Sequence, residues 1–190
     1  MILGITGGTG CGKTTLLQAI EERGGLVLDC DAVYHELLTR DMELLKAIEA
    51  RFPGVVVENK LQRKKLGAIV FADEKALLDL NAITHGAIKA EIVRRLAEKP
   101  ALAAIDAIAL FEGGLSELCD ATVAVCAPRE DRVRRLMERD GISREYAENR
   151  INAQKSESWF RDMCDHTLYN DGTREEFREK CGAFLEELLN

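Results

Sequence analysis

Gly7-Gly8-Thr9-Gly10-Cys11-Gly12-Lys13-Thr14 is the stretch that decides the fold of this chain. It matches G-x-x-x-x-G-K-[ST] in full and follows directly on the apolar run Ile2-Leu3-Gly4-Ile5. A buried strand feeding a glycine-rich turn, then a helix opening at Lys13 with apolar Leu16, Leu17 and Ile20, is the context that a phosphate cradle requires. Gly8, Gly10 and Gly12 let successive backbone N–H groups converge on phosphate oxygens, and Cys11 lies between them. The helix N-terminus, through Thr14 and Thr15, adds unpaired donors and the positive end of its dipole. Lys13 is expected to reach the β- and γ-phosphates and the Thr14 hydroxyl to hold Mg²⁺. The spacing does not fit G-x-G-x-x-G, which disfavours a dinucleotide fold. A nucleoside triphosphate is the expected ligand.

The rest of the composition bounds the classes. At 190 residues, 46% hydrophobic and 31% charged, the chain has ordinary globular composition. A formal charge of −7 argues against general nucleic-acid binding. No apolar run approaches membrane-spanning length, and the N-terminus enters a strand directly, so a cytoplasmic protein without a signal peptide is expected. Six cysteines at 11, 30, 119, 126, 164 and 181 include no C-x-x-C. Metal or disulfide roles are not expected of them, and Cys30 and Cys126, in strand-like runs, are expected to be small buried hydrophobes. Cys11 differs, because a helix N-terminus can lower a thiol pKa and bring sensitivity to oxidation.

Strand-like runs recur at 2–6, 26–30, 102–111, 121–126 and 166–169, separated by helical patterns. Between the second and third lie some seventy residues with helical spacing (Leu44, Leu45, Ile48; Leu77, Leu80, Ile83, Ile88, Ile92, Leu96) and only a weak strand signal at Val55-Val56-Val57. The expected fold is therefore α/β, a five-stranded parallel sheet flanked by helices with a helical insertion over 32–99. The last helix opens on a capping box, Thr173-x-x-Glu176.

Three groups outside the loop carry candidate chemistry. Strand two ends Leu28-Asp29-Cys30-Asp31, and ligands of open parallel sheets bind beyond the carboxyl ends of the strands. Asp29 and Asp31 are candidates for Mg²⁺ contact and for accepting a hydroxyl proton; alternatively one of them caps the helix starting near Ala32. Asp106, within the third apolar run, is a candidate metal or supporting acid of Walker-B type. From Arg129 to Arg150 there are seven arginines and no lysine. Arginine's fixed fork suits two-point phosphate binding. Arg139-Asp140-Gly141 at a turn suggests a lid over 130–155. Arg139 and Arg150 are the expected phosphate contacts, whereas Arg132, Arg134 and Arg135 are expected on a solvated helix face beside acids.

In this order the chain resembles the dephospho-coenzyme A kinase family over almost its full length. The matching residues are Gly4-Ile5-Thr6-Gly7-Gly8 through Lys13-Thr14-Thr15, Asp29-Cys30-Asp31, Arg63, Leu66, Gly67 and Phe71, and Leu80-Asn81-x-x-x-His85. They continue with Leu110-Phe111-Glu112, Arg139-Asp140-Gly141, Arg150-x-x-x-Gln154 and Asn170-Asp171-Gly172-Thr173. The resemblance implies a P-loop core, a helical domain for the coenzyme A-type substrate and a small lid. It implies transfer of the ATP γ-phosphate to the ribose 3′-hydroxyl of dephospho-coenzyme A with Mg²⁺, by a monomer or weak oligomer with no nucleic-acid or membrane partner. It makes Asp31 the base and Arg139 a catalytic lid contact. Arg63, His85, Leu110, Phe111 and Glu112 fall to the acceptor, Asn170 and Gly172 to the nucleotide. Departures are Ala107-Ile108-Ala109 where the family has x-P-L, and His85-Gly86 where it has His-Pro. The first implies a looser acceptor pocket wall.

Two rivals use the same loop. A GTPase should show N-K-x-D and D-x-x-G, and the chain has neither. A nucleoside or nucleotide kinase shares core and lid, and is separated only by the insertion and the Asp29/Asp31 pair.

Overall fold

Five apolar runs become one parallel sheet in the order β2-β5-β1-β6-β7. The structure is a computed structural model and describes residues 1–189. The strands are β1 (Ile2–Thr6), β2 (Leu26–Asp29), β5 (Ala103–Asp106), β6 (Ala121–Cys126) and β7 (His166–Tyr169). β1 lies at the centre, with Ile5 opposite Asp106 on one side and Val123 on the other. Near-continuous apolar strands are what a sheet covered on both faces needs. Leu3, Ile5, Ala104, Val123 and Val125 are accordingly buried with Leu16 and Ile20 of α1 (Lys13–Glu21) and Phe177 and Leu185 of α9 (Arg174–Leu189). The capping box forms as read: Thr173 N donates to Glu176 Oε2 at 2.7 Å and Glu176 N to Thr173 Oγ1 at 3.2 Å.

The third strand is shorter than its apolar run. β5 ends at Asp106, and residues 107–115 turn. Ala107 N still donates to Ile5 O, but Thr6 Oγ1 then takes the Ile108 carbonyl as acceptor and the chain bends away. Ala107 and Leu110 stay apolar because they pack into the core from a turn. Asp106 therefore stands at the carboxyl end of its strand, not within it.

The chain divides into two compact units. One comprises Met1–Leu28, Pro100–Leu110 and Ser116–Asn190; the other comprises Asp29–Lys99 and Phe111–Leu115. The first also holds α6 (Arg129–Asp140), α7 (Arg144–Asn152) and α8 (Glu157–Met163). Val133, Leu136, Ala147 and Ile151 form a small core between α6 and α7.

The second unit begins three residues before the expected insertion and recruits Phe111–Leu115. Its helices are α2 (Cys30–Arg40), α3 (Met42–Arg51), α4 (Arg63–Val70) and α5 (Glu74–Leu96). Asp29, Asp41 and Asp73 cap α2, α3 and α5 with their side chains. The weak strand signal is one arm of a hairpin, β3 (Val56–Val57) with β4 (Lys60–Leu61). Its two-residue turn, Glu58-Asn59, has φ of 49° and 60°, the primed turn that suits the strand twist. α5 runs unbroken for 23 residues through His85-Gly86.

Candidate active site

The loop after β1 is a backbone concavity, and its glycines are needed for reasons the motif alone does not state. Gly7, Gly10 and Gly12 have φ of 136°, 79° and 97°, which L side chains rarely adopt. A Cβ would strike the Val125 carbonyl at Gly7, the Arg132 guanidinium at Gly8 and the Asn170 amide at Gly12. The crowding that the structure shows thus comes from the protein behind the loop. Gly12 is also the N-cap of α1, with no side-chain cap and no acid in the first turn. α2, α3, α5, α7 and α8 all carry an Asp or Ser cap. Open donors at the start of α1 are the arrangement that binds an anion.

Lys13 folds over this loop. Its Nζ donates to Gly7 O at 3.2 Å and lies 3.8 Å from Asp106 Oδ1, with both side chains largely covered. Asp106 is beside Lys13 because β5 pairs with β1 and ends level with the start of the loop. Thr14 is exposed at the helix start and Thr15 half-buried. Burial pushes the Cys11 thiol up, against the lowering influence of Arg132 and Lys13. Desolvation outweighs the nearby positive charge at this thiol.

The arginines of α6 divide differently from the sequence reading. Arg132 and Arg135 are not on a solvated face. Arg132 is 6% exposed and donates from Nε to Thr9 O at 2.9 Å. Arg135 donates to Gly10 O at 3.3 Å and to Asn170 Oδ1 at 3.2 Å. Arg134 does face solvent, in an ion pair with Asp131. Positions 132, 135 and 139 lie on one helical stripe (i, i+3, i+7), a periodicity that the sequence carried. Arg139 and Arg150 are more exposed, and Asp140 grips both. Arg139 meets its carboxylate through Nε at 2.7 Å and Nη2 at 2.9 Å, Arg150 through Nη1 at 2.6 Å. The hydrogen bonds from Arg139, then Arg150, hold the Asp140 carboxyl down at about 2.

Asn170 is buried, not presented to solvent: its Nδ2 donates to Cys11 O at 2.9 Å, so the side chain supports the loop. Gly172 lies in an exposed turn lining, with Tyr169, Asp171, Phe177 and Lys180, a cavity of about 470 Å³. Leu110 is fully buried against Gly4 and cannot touch a ligand. In the other unit, Asp29 Oδ1 accepts from Asp31 N at 2.9 Å and Ala32 N at 3.1 Å, so the capping alternative holds for Asp29. Asp31 is exposed in the first turn of α2, with its carbonyl 2.7 Å from His35 Nδ1. Arg63 opens α4 and Tyr34 feels its charge. His85 is half-buried on α5; Phe111 is half-buried and Glu112 exposed.

A loop of this shape behind a central strand, a lysine folded over it, an acid closing the neighbouring strand and arginines arriving from α6 define a P-loop phosphotransferase. The family model for dephospho-CoA kinase matches residues 1–176. A dephospho-CoA kinase of Latilactobacillus sakei is 34% identical over 189 residues, covering 97% of this chain and 94% of the relative. One of Corynebacterium diphtheriae is 36% identical over 180 residues, covering 92% and 90%. Among solved structures, a Thermus thermophilus protein superposes with a TM-score of 0.82 at 34% identity, covering 99% and 97%. The dephospho-CoA kinase of Campylobacter jejuni reaches 0.69 at 26%, covering 98% and 96%. The chain belongs to the dephospho-CoA kinase family.

Proposed function

We propose that the protein transfers the γ-phosphate of ATP to the 3′-hydroxyl of dephospho-CoA, giving coenzyme A. The observation that carries this reading is the family match over residues 1–176 on a chain whose phosphate loop is fully built. In it, the loop amides and Lys13 hold the phosphates, and Arg139 and Arg150 draw on the transferring group from a lid over 130–155. Asp31 accepts the hydroxyl proton, with Asp29 held in its cap. The unit containing Arg63, His85, Phe111 and Glu112, including the segment 32–99, takes the acceptor. Asn170 and Gly172 belong to the nucleotide side, beside the cavity at Phe177.

The residues fit Mg²⁺ arriving with ATP. Among the described residues no group of three or more His, Cys, Asp or Glu could hold a metal alone. The Thr14 hydroxyl and Asp106 would share it with phosphate oxygens. When bound, the ion neutralises charge on the β- and γ-oxygens. No helix among the described residues is long and apolar enough to cross a membrane. A cytoplasmic monomer or weak oligomer is part of the same proposal.

The test is ADP release from MgATP across dephospho-CoA, nucleosides and adenylate. Turnover confined to dephospho-CoA is expected, and preference for a nucleoside or adenylate would establish the rival kinase. Asp31→Asn should then lose about 10²–10⁴-fold in turnover with ATP binding kept. An active Asp31→Asn beside an inactive Asp29→Asn would reverse the two roles.

A further inference from the structure

The phosphate loop is gripped from behind by two side chains that the reading above does not use. Arg132 is one of the most buried charged residues of the chain, at 6% exposure. Its hydrogen-bond partners are neutral oxygens: Thr9 O at 2.9 Å from Nε, and Gln154 Oε1 at 3.5 Å from Nη2. Among the described residues no ion pair reaches it. Gln154 Oε1 also accepts from Thr9 N at 2.8 Å. Both backbone polar groups of Thr9 are therefore tied to this pair.

The consequence follows from peptide geometry. In a trans peptide the carbonyl and the next N–H point in opposite directions. With Thr9 O turned outward to Arg132, the N–H of Gly10 is turned to the inner side of the loop. Asn170 on Cys11 O turns the Gly12 N–H in the same sense, whereas the Cys11 N–H is taken by Gly8 O at 3.3 Å. A buried guanidinium facing only neutral oxygens is costly unless an anion offsets its charge. The one anion expected at this loop is the triphosphate.

We infer that Arg132 and Gln154 form a clamp that presets the loop amides for a nucleotide's phosphates and adds a fixed positive charge behind them. Both are positioning residues, since each acts by holding the Thr9 backbone. The inference rests on the reading of the loop as an ATP site. Gly8 belongs to the same device: a Cβ there would collide with the guanidinium and come 3.2 Å from Gln154 Oε1.

The test compares ATP with adenosine on the full-length protein, by calorimetric titration. Arg132→Met and Gln154→Leu should each weaken ATP about tenfold, the scale of one buried polar group left unmatched, with adenosine unchanged. Because the clamp acts through Arg132, Gly8→Ala added to Arg132→Met should lose little more. Gln154→Glu separates positioning from plain support and is the variant least disposed to misfold. It keeps an acceptor for Thr9 N and places a carboxylate beside Arg132. Its melting temperature should hold or rise while ATP affinity falls, since the guanidinium charge is then neutralised. Equal losses for ATP and adenosine, or parental ATP affinity in Gln154→Glu, would overturn the clamp. Failure of the parent to phosphorylate dephospho-CoA would instead remove the assigned reaction, and the ATP-against-adenosine comparison would still judge the clamp.

Discussion

Each of the two units buries a charge, and they treat it in opposite ways. In the helical unit, Glu91 of α5 is 8% exposed and ringed by arginines. Arg40 Nη2 lies 2.6 Å from its carboxylate, Arg94 Nη2 2.7 Å and Arg95 Nε 2.7 Å, and Glu36 closes the network through Arg95. Those hydrogen bonds, Arg94's foremost, hold the Glu91 carboxyl far below its ordinary value. In the sheet unit, Arg132 meets only neutral oxygens, and Lys13 has Asp106 no nearer than 3.8 Å. A closed charge network fastens helices together. An open one keeps its field for something that binds. Where a buried charge finds its counter-charge therefore separates architecture from function better than burial does.

That division is sharpest at Lys13. Lys13→Ala should lower turnover on the order of a hundredfold or more, as removal of one preorganised charge contact does. Its melting temperature should stay near the parent's, because the covered side chain is held only by a 3.2 Å hydrogen bond to Gly7 O and a 3.8 Å approach to Asp106. A folded variant with near-parental turnover would sink the phosphate-loop assignment.

Glu91→Gln should show the reverse. Removing the charge leaves arginines facing a neutral amide, and stability should fall by roughly 2 kcal/mol in urea titration, moderated because the arginines are partly solvated. Turnover per folded molecule should stay unchanged. The sign with pH follows: a depressed carboxyl contributes its stability above the unfolded value of about 4.3 and loses it as pH falls from there. Glu91→Gln should flatten that acid limb. An unaltered limb would mean that the network is not what fastens α5 to α2.

Asp140 stands between the two cases, because it occupies Arg139 and Arg150, both assigned to phosphate. Asp140→Asn frees those guanidinia, and the KM for ATP should fall severalfold at low salt, where a released charge acts most strongly. With its carboxyl at about 2, Asp140 stays charged throughout the neutral range. No acid limb in the parent's ATP affinity should come from it above about pH 4. A raised KM would mean that Asp140 aims the arginines instead of restraining them.

The smallest effect is expected at Gly86. α5 runs through it, and a Cβ there would meet nothing within 4 Å. Gly86→Ala should add up to about 1 kcal/mol of stability by helix propensity alone. A raised KM for dephospho-CoA in that variant would instead mark a close approach of substrate to the helix.

Periodicity and turn chemistry made much of this legible in advance. The P-loop, the strands at 2–6, 121–126 and 166–169 and the capping box at Thr173 are local patterns, and local patterns survive folding. The end of β5 was not legible, since Ala107 and Leu110 are as apolar in a buried turn as in a strand. The Glu58-Asn59 turn hid because neither residue is the glycine that usually marks a primed hairpin. The arginines of α6 were divided by their neighbours in sequence, Glu130, Asp131 and Glu138. Helical angle was the better guide, placing 132 and 135 together and 134 apart.

The central position of β1 also sets a timetable for biogenesis. Its partner residues Ala103 and Ala121 leave the ribosome some hundred residues after Ile2 and Leu3. At synthesis rates of about 5–20 residues per second, the first strand waits roughly 5–20 s with both hydrogen-bonding edges open. Helices α2 to α5 are made during that interval, and their mutual contacts, such as Arg40 to Glu91, span fewer residues than either pairing of β1. The nascent chain thus meets its greatest hazard of wrong strand pairing early. Chaperone demand should concentrate on chains stalled before Cys126.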